Sequence, residues 1–382
     1  MQFISTKSVI ALAALAASSA TFAQAPAPAP SVTLYGTIEM ALEANSDGTT
    51  NRTAMQNFSS NFGIKGERQV SGTLSGIFQV ETGFAPDDTS QSKTLANRNS
   101  FVGLKSASMG TLIIGTNDMP LKELKGTTKI MLGEGEAMET IIHGRGTSQS
   151  ASATVVPTGG IAGTGAFGQV HTRKTNLVEY ISPKFSDVVV KFAYSPDEAA
   201  TVATSTAPAY SQAMFGASIE YNNGTWNAGL ATQSQDNVIK PTIVAATPAL
   251  SIPGYALQAT KATLGAQMGA WKTGLAFSTI DNGAGKKTSN WMVSGAYAMG
   301  PVVMKANYGA SSESFSGAAD DLTLAGVEVD YVLDNSLTLY GAYSTITNSK
   351  NAKGSYTQSD NFPAPAAGKN PTALNFGIQY KF

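Results

Sequence analysis

The sequence predicts an all-β fold, a sixteen-stranded antiparallel transmembrane β-barrel, and three observations predict it. Units of about ten residues alternate apolar and polar side chains, the period-two pattern of strands with two unlike faces. The connections alternate between tight turns and long loops, the plan of a barrel whose two rims differ. The charged residues of the strands keep to the polar phase, and so avoid the roughly 2–4 kcal/mol that Lys or Arg costs at the lipid midplane.

Composition agrees. Charged residues make up 13% of the 382, about half the roughly 25% usual in soluble globular chains. The formal charge of −1 leaves no basic excess to displace counterions from phosphates, which argues against a nucleic-acid partner. With no cysteine, disulfides and thiolate chemistry are excluded. Beyond the N-terminal region no run of about 18 apolar residues occurs, so any membrane crossing is made by strands.

Taken in order, the chain opens with Lys7 and the apolar run "VIALAALAA" at 9–17, followed by Thr21 and Ala23 at the −3 and −1 positions of a cleavage site. Residues 1–23 read as a signal peptide, the run being too short to span a bilayer. A short Ala/Pro linker, 24–31, precedes a barrel domain over 32–382. The first strand, 32–43, sets Val32, Leu34, Ile38, Met40 and Leu42 against Thr33, Tyr35, Thr37, Glu39 and Glu43. Further strands follow at 57–67, 72–84, 97–106, 109–116, 173–182, 186–195, 213–222, 225–234, 258–269, 270–280, 288–299, 301–311, 319–333 and 336–348. The sixteenth, 372–382, places Leu374, Phe376, Ile378, Tyr380 and Phe382 on one face and closes against the first. Tight turns fall at 108–110, 222–224, 299–301 and 334–335. Long loops are expected at 44–56, 85–96, 117–172, 196–212, 235–257 and 349–371. Glu39, Glu43, Lys65, Glu67, Glu81, Lys191, Glu220, Lys272, Lys305 and Lys381 share the polar phase. Trp226, Trp271, Tyr297, Tyr343, Tyr380 and Phe382 share the apolar phase near strand ends, where an interfacial girdle belongs.

The stretches "SVTLYGTIE" (31–39), "NFGIKGE" (61–67), "GIFQVETGF" (76–84), "NRNSFVGLKS" (97–106), "GTLIIGT" (110–116), "RKTNLVEYISPKF" (173–185) and "FGIQYKF" (376–382) resemble the general porins of Gram-negative bacteria, most closely the β-proteobacterial type. The resemblance covers the mature chain in family order. It implies an outer-membrane homotrimer of sixteen-stranded barrels, each a water-filled channel for passive diffusion of small hydrophilic solutes and ions. It further implies a long third loop folded inward and a terminal Phe382 that addresses the barrel-assembly machinery. In such channels acidic loop residues face basic wall residues across a constriction. "MLGEGEAMET" at 131–140 resembles the acidic tip, with Glu134 the best match, Glu136 and Glu139 beside it, and Asp118 and Glu123 earlier in the loop. Arg98 and Arg173 match basic wall positions; Lys65 also has the inward phase but lies toward a turn. Read without the resemblance, the carboxylates are solvated loop groups and the basic residues are partners of neighbouring acids. Thr37 and Asn61 stand where many relatives carry a further base, so the sign of selectivity does not follow.

Other signals lead elsewhere. "GTGAFG" at 163–168 matches a phosphate-loop spacing but follows no strand and opens no helix. His143 and His171 have neither a second His at i+4 nor a Cys, so the spacing indicates no zinc site. No nucleophile–base arrangement marks an enzyme, and no cofactor is implied. The alternatives are a solute-specific channel built on inward Tyr35 and Tyr340, a plugged barrel acting as an adhesin, and an outer-membrane hydrolase dependent on His171.

Overall fold

The computed structural model describes residues 31–88, 94–144, 170–198, 200, 210–239, 242–243, 251–252, 255–281, 287–313, 319–356 and 362–382. The leader 1–23, linker residues 24–30 and the low-complexity stretch 147–168 lie outside them. The strands are β1 (Ser31–Ser46), β2 (Asn51–Asn57), β3 (Asn61–Ser71), β4 (Leu74–Gly83), β5 (Ser100–Ser106), β6 (Gly110–Asp118), β7 (Arg173–Ile181), β8 (Val188–Ser195), β9 (Met214–Asn222) and β10 (Trp226–Ile239). They continue with β11 (Thr242–Ile243), β12 (Ser251–Ile252), β13 (Tyr255–Met268), β14 (Trp271–Asp281), β15 (Lys287–Met299), β16 (Val302–Ser311), β17 (Leu322–Val332), β18 (Leu337–Asn348) and β19 (Thr372–Lys381). The barrel strands pair antiparallel in chain order, except that β2 and β3 both pair with β1 and β10 passes to β13, and β11–β12 form a separate small hairpin.

The sheet closes on itself. β1 pairs with β19 from Thr37↔Lys381 to Ser46↔Thr372, and Phe382 adds a reciprocal backbone pair with Gly36 at 2.9 and 3.1 Å. Closure leaves no edge to expose unpaired N–H and C=O groups to hydrocarbon. Among the described residues no helix is long and apolar enough to cross a membrane.

Sixteen barrel positions are present among the described residues, although seventeen strands make the sheet. β2 pairs with the upper part of β1, Met40 to Ser46, and β3 with the lower part, Ser31 to Thr37, so the two share one position. The break between them is at Phe58–Ser60, where Ser59 turns to φ 70°. Ser60 Oγ accepts from Glu39 N–H at 2.9 Å, and Phe58 N–H donates to Glu39 C=O at 3.1 Å, so the broken ladder leaves Glu39 paired. The expected long loop 44–56 is instead a tight turn capped by Asp47, whose Oδ1 accepts from Thr49 and Thr50 N–H, each at 2.7 Å. The reading missed β2 because "NRTAMQN" carries no apolar alternation.

Burial is inverted relative to a soluble protein. Leu34, Leu275, Val327 and Phe376 are 52–61% exposed, whereas Glu43, Ser278 and Asn375 on the opposite phase are fully buried. Aromatic pairs mark both margins of the apolar band: Trp271–Tyr297 at 4.5 Å toward the short turns and Trp291–Tyr308 at 5.6 Å toward the long loops. Trp291 and Tyr297 are six residues apart on β15, roughly 20 Å along the strand.

The pattern gives a depth-dependent expectation. Val327→Arg, in the middle of β17, should lower unfolding free energy in lipid vesicles by about 2–4 kcal/mol, and Leu333→Arg, beyond its short-turn end, by less than about 1 kcal/mol. Equal costs by denaturant titration would contradict a buried midplane.

Candidate functional site

After Asp118 the chain leaves the wall. Pro120–Glu123 forms one helical turn, with Pro at its start where a missing N–H costs nothing. The chain then runs without regular structure, turning at 126–127 and bending at 132–134, and ends in a π-helical turn, Met138–Ile142. Val170 brings it back toward Arg173, the first residue of β7. Residues 119–143 are mostly buried, and their apolar side chains supply much of the interior. Met138, Ile141 and Ile142 pack on Ala276, Met292, Leu322, Leu324 and Ile346. Leu121 and Leu124 pack on Ala231, Ala259 and Ile280.

Polar clasps hold the segment against the inner face from β9 to β19. Asn227 Oδ1 accepts from Thr127 N–H at 3.1 Å, and Thr127 Oγ1 donates to Thr273 C=O at 2.5 Å. The Glu328 carboxylate accepts from Leu132 and Gly133 N–H at 2.9–3.1 Å. Lys305 bridges Glu328 and Asp330 at 2.7 and 2.6 Å, so this buried carboxylate is charge-paired as well. Asn375 Oδ1 accepts from Glu134 N–H at 3.1 Å, and its Nδ2 donates to Glu43 Oε2 at 2.5 Å. The segment is thereby tied to the β1–β19 seam. Room is made by small residues on the wall: a Cβ added at Gly216 or Gly274 would stand 2.7 Å from Met119 Cε or Thr128 Cα.

The π-helical turn touches β14, β15 and β16. Eight positions round a sixteen-position ring, β15 faces β5. There a connected polar cluster spans β1 to β7. Tyr35 donates to Glu81 Oε2 at 2.9 Å, and Arg98 Nε meets Glu81 Oε1 at 2.5 Å. Arg173 Nε donates to Asn99 Oδ1 at 2.6 Å and lies 3.0 Å from Asp118 Oδ1, which Lys122 Nζ also meets at 2.7 Å. Burial pushes the Lys122 ammonium down to about 8, only partly offset by Asp118.

Of the residues the sequence singled out, Arg98, Arg173 and Asp118 come together. Glu134 and Glu136 are fully buried instead. Glu136 organises the segment itself: Oε2 accepts from Ile130 and Met131 N–H at 2.8 and 2.7 Å, and Oε1 from Met138 N–H at 3.0 Å. Burial raises its pKa, opposed by Lys129 and those three amides. Lys65 stands apart from the segment, exposed on β3, with Nζ 5.1 Å from the Tyr35 ring centroid.

The sequence reading missed a second cluster. Glu139 is flanked by His143 Nδ1 at 3.1 Å, His171 Nδ1 at 2.5 Å and Lys129 Nζ at 2.9 Å. Lys261 Nζ lies 2.8 Å from His143 Nε2. Burial alone would raise Glu139, yet Lys129 and the histidines hold it well below the usual carboxylate range. The i,i+4 spacing of Glu139 and His143 was legible; the arrival of His171 and Lys261 was not.

A closed barrel, apolar outside and polar inside, with a chain segment bound along its inner wall, defines an outer-membrane β-barrel of the channel type. A family model described as Gram-negative porin matches residues 9–351, and the chain belongs to that family. Outer membrane porin protein 32 of Delftia acidovorans is 26% identical over 395 residues, covering 98% of this chain and 99% of the relative. Among solved structures, the anion-selective porin from Comamonas acidovorans matches with TM-score 0.71 at 20% identity, over 93% of this chain and 100% of that one. OmpT of Vibrio cholerae in its trimer form matches with TM-score 0.63 at 16% identity, over 93% and 100%. These likenesses share the fold. As a Gram-negative porin the protein resides in the outer membrane and serves passive diffusion.

Removing the Glu136 clasp tests the segment. Glu136→Ala leaves three buried amides without their acceptor, at about 1–3 kcal/mol for each group left unsatisfied. Hydrogen exchange should show protection lost at Ile130, Met131 and Met138 while the strand amides keep theirs.

Proposed function

We propose that the channel is narrowest between the 119–143 segment, whose Lys122 pairs with Asp118, and the wall cluster of Arg98, Arg173 and Asp118. One observation carries the reading: the segment is bound along the inner face from β9 to β19, which leaves the Arg98–Arg173 side facing open lumen. Solutes then pass through a transverse field set by cations on one wall, each paired to a carboxylate, and selection is by size and charge. Glu134 and Glu136 hold the segment in place, and Lys65 acts nearer the short-turn rim. The diffusing solute needs no catalyst, so the protein works as a channel and not as an enzyme. The apolar band sits in lipid, part of it covered by neighbouring barrels of a homotrimer, as the family suggests. Residues 1–23 serve as the export signal, and Phe382 is the feature the assembly machinery reads.

The refolded mature protein in a planar bilayer should open in three equal steps. A correctly folded but silent barrel would favour the plugged-adhesin reading, and saturable block by one solute class a specific channel.

Charge on Lys122 gives a sharper expectation. The group is cationic below about pH 8 and neutral above it, so raising the pH removes positive charge from the narrow region. Reversal potentials in a KCl gradient should move toward cation preference between pH 7 and pH 9. Lys122→Gln should show that preference already at pH 7 and lose most of the shift. An undiminished shift in the variant would place the titrating group elsewhere.

A further inference from the structure

We propose that Glu139, His143 and His171 form a three-ligand site for a borderline-soft divalent cation of the Zn2+ class. The donor atoms are Glu139 Oε2, His143 Nδ1 and His171 Nδ1, and all lie within 4.8 Å of one another. Their separations are 3.1 Å between Glu139 and His143, 2.5 Å between Glu139 and His171, and 3.4 Å between the two imidazoles. Zinc bonds of about 2.0–2.1 Å in a tetrahedron set donors roughly 3.3 Å apart. Two edges of the triangle already have that length. The third would lengthen on rotation of the His171 side chain, which is 22% exposed while the other two are buried.

The donor set selects the metal. Two imidazoles and one carboxylate suit zinc and its neighbours, whereas Mg2+ and Ca2+ seek oxygen cages. Two lysines stand behind the ligands. Lys129 Nζ holds Glu139 Oε1 at 2.9 Å, leaving Oε2 for the ion, and Lys261 Nζ lies 2.8 Å from His143 Nε2, so ligation through Nδ1 requires Lys261 to bind as the neutral amine and accept the Nε2 proton. With three protein ligands, the fourth position is left for water or a solute carboxylate arriving past His171. The ammonium groups of Lys125 and Lys129 oppose a cation, so affinity is moderate. A bound ion would join the π-helical turn to residue 171, tying the two ends of the lumen segment. The proposal does not depend on the barrel conducting.

The test is calorimetric titration of the tag-free, chelator-stripped, refolded chain with ZnCl2 and separately with MgCl2. The chain has only two histidines and no cysteine, so histidine-dependent binding reports this site alone. A single saturable Zn2+ site is expected, with no response to Mg2+. His171→Ala changes the partly exposed ligand and should weaken Zn2+ at least about tenfold. Circular dichroism and heat-modifiable gel mobility check that the variant remains a folded barrel. Co2+ added to the wild type should give visible bands of tetrahedral intensity that His171→Ala loses. Absence of saturable Zn2+ binding by the folded wild type, or an unchanged isotherm in folded His171→Ala, overturns the proposal.

Discussion

The structure depends on a single constraint, that every backbone polar group inside the hydrocarbon must be paired within the protein. The β1–β19 seam meets it. Ten residue pairs and the reciprocal Gly36–Phe382 bonds remove the two edges that an open sheet would present. Once the sheet is a ring, each strand has one face toward lipid and one toward the interior. Period-two alternation then has to hold at every position, and Leu275 and Glu43 end up on the sides where their chemistry is stable.

Closure creates a second problem, because a sixteen-position ring is too wide for wall side chains alone to fill. The 119–143 segment fills part of that space. It brings its own apolar residues, Met138, Ile141 and Ile142, to cover Met292, Leu324 and Ile346. Its backbone groups, carried away from any strand ladder, are met by side chains: Glu136 from within the segment, Glu328 and Asn375 from the wall. The buried carboxylates act here as acceptors for amides. Glu328 keeps a cation beside it in Lys305, which offsets the desolvation that an unpaired buried charge would suffer. On the proposed reading, the charge that a passing solute meets is set by Arg98 and Arg173 on the wall and by Lys122 of the segment, which pairs with Asp118.

Much of this was legible beforehand. Strand positions, their phase, the meeting of first and last strands and the grouping of Arg98 with Arg173 on one inward wall all follow from alternation and family likeness. The misses have physical causes. β2 carries Met55 as its one large apolar side chain, so alternation is silent there. Glu134 and Glu136 were expected at the constriction because "MLGEGEAMET" resembles the acidic loop tip of the family. Their burial depends on the Asn375 acceptor bonded by Glu134 N–H and on the backbone amides that Glu136 accepts, and residue identity does not reveal those. The Glu139–His143–His171 cluster was passed over because the two histidines are 28 residues apart and neither has a second His at i+4.

The sequence by itself determined the sheet, its two faces and its closure, because a two-residue period is a property of the local backbone and repeats wherever the chain is extended. Only the tertiary structure decided which inward residues meet across the interior. Thr128 against Gly274, His143 against Lys261 and Glu134 against Asn375 are joined by the register around the ring and by the path of one loop through it. No local pattern records either.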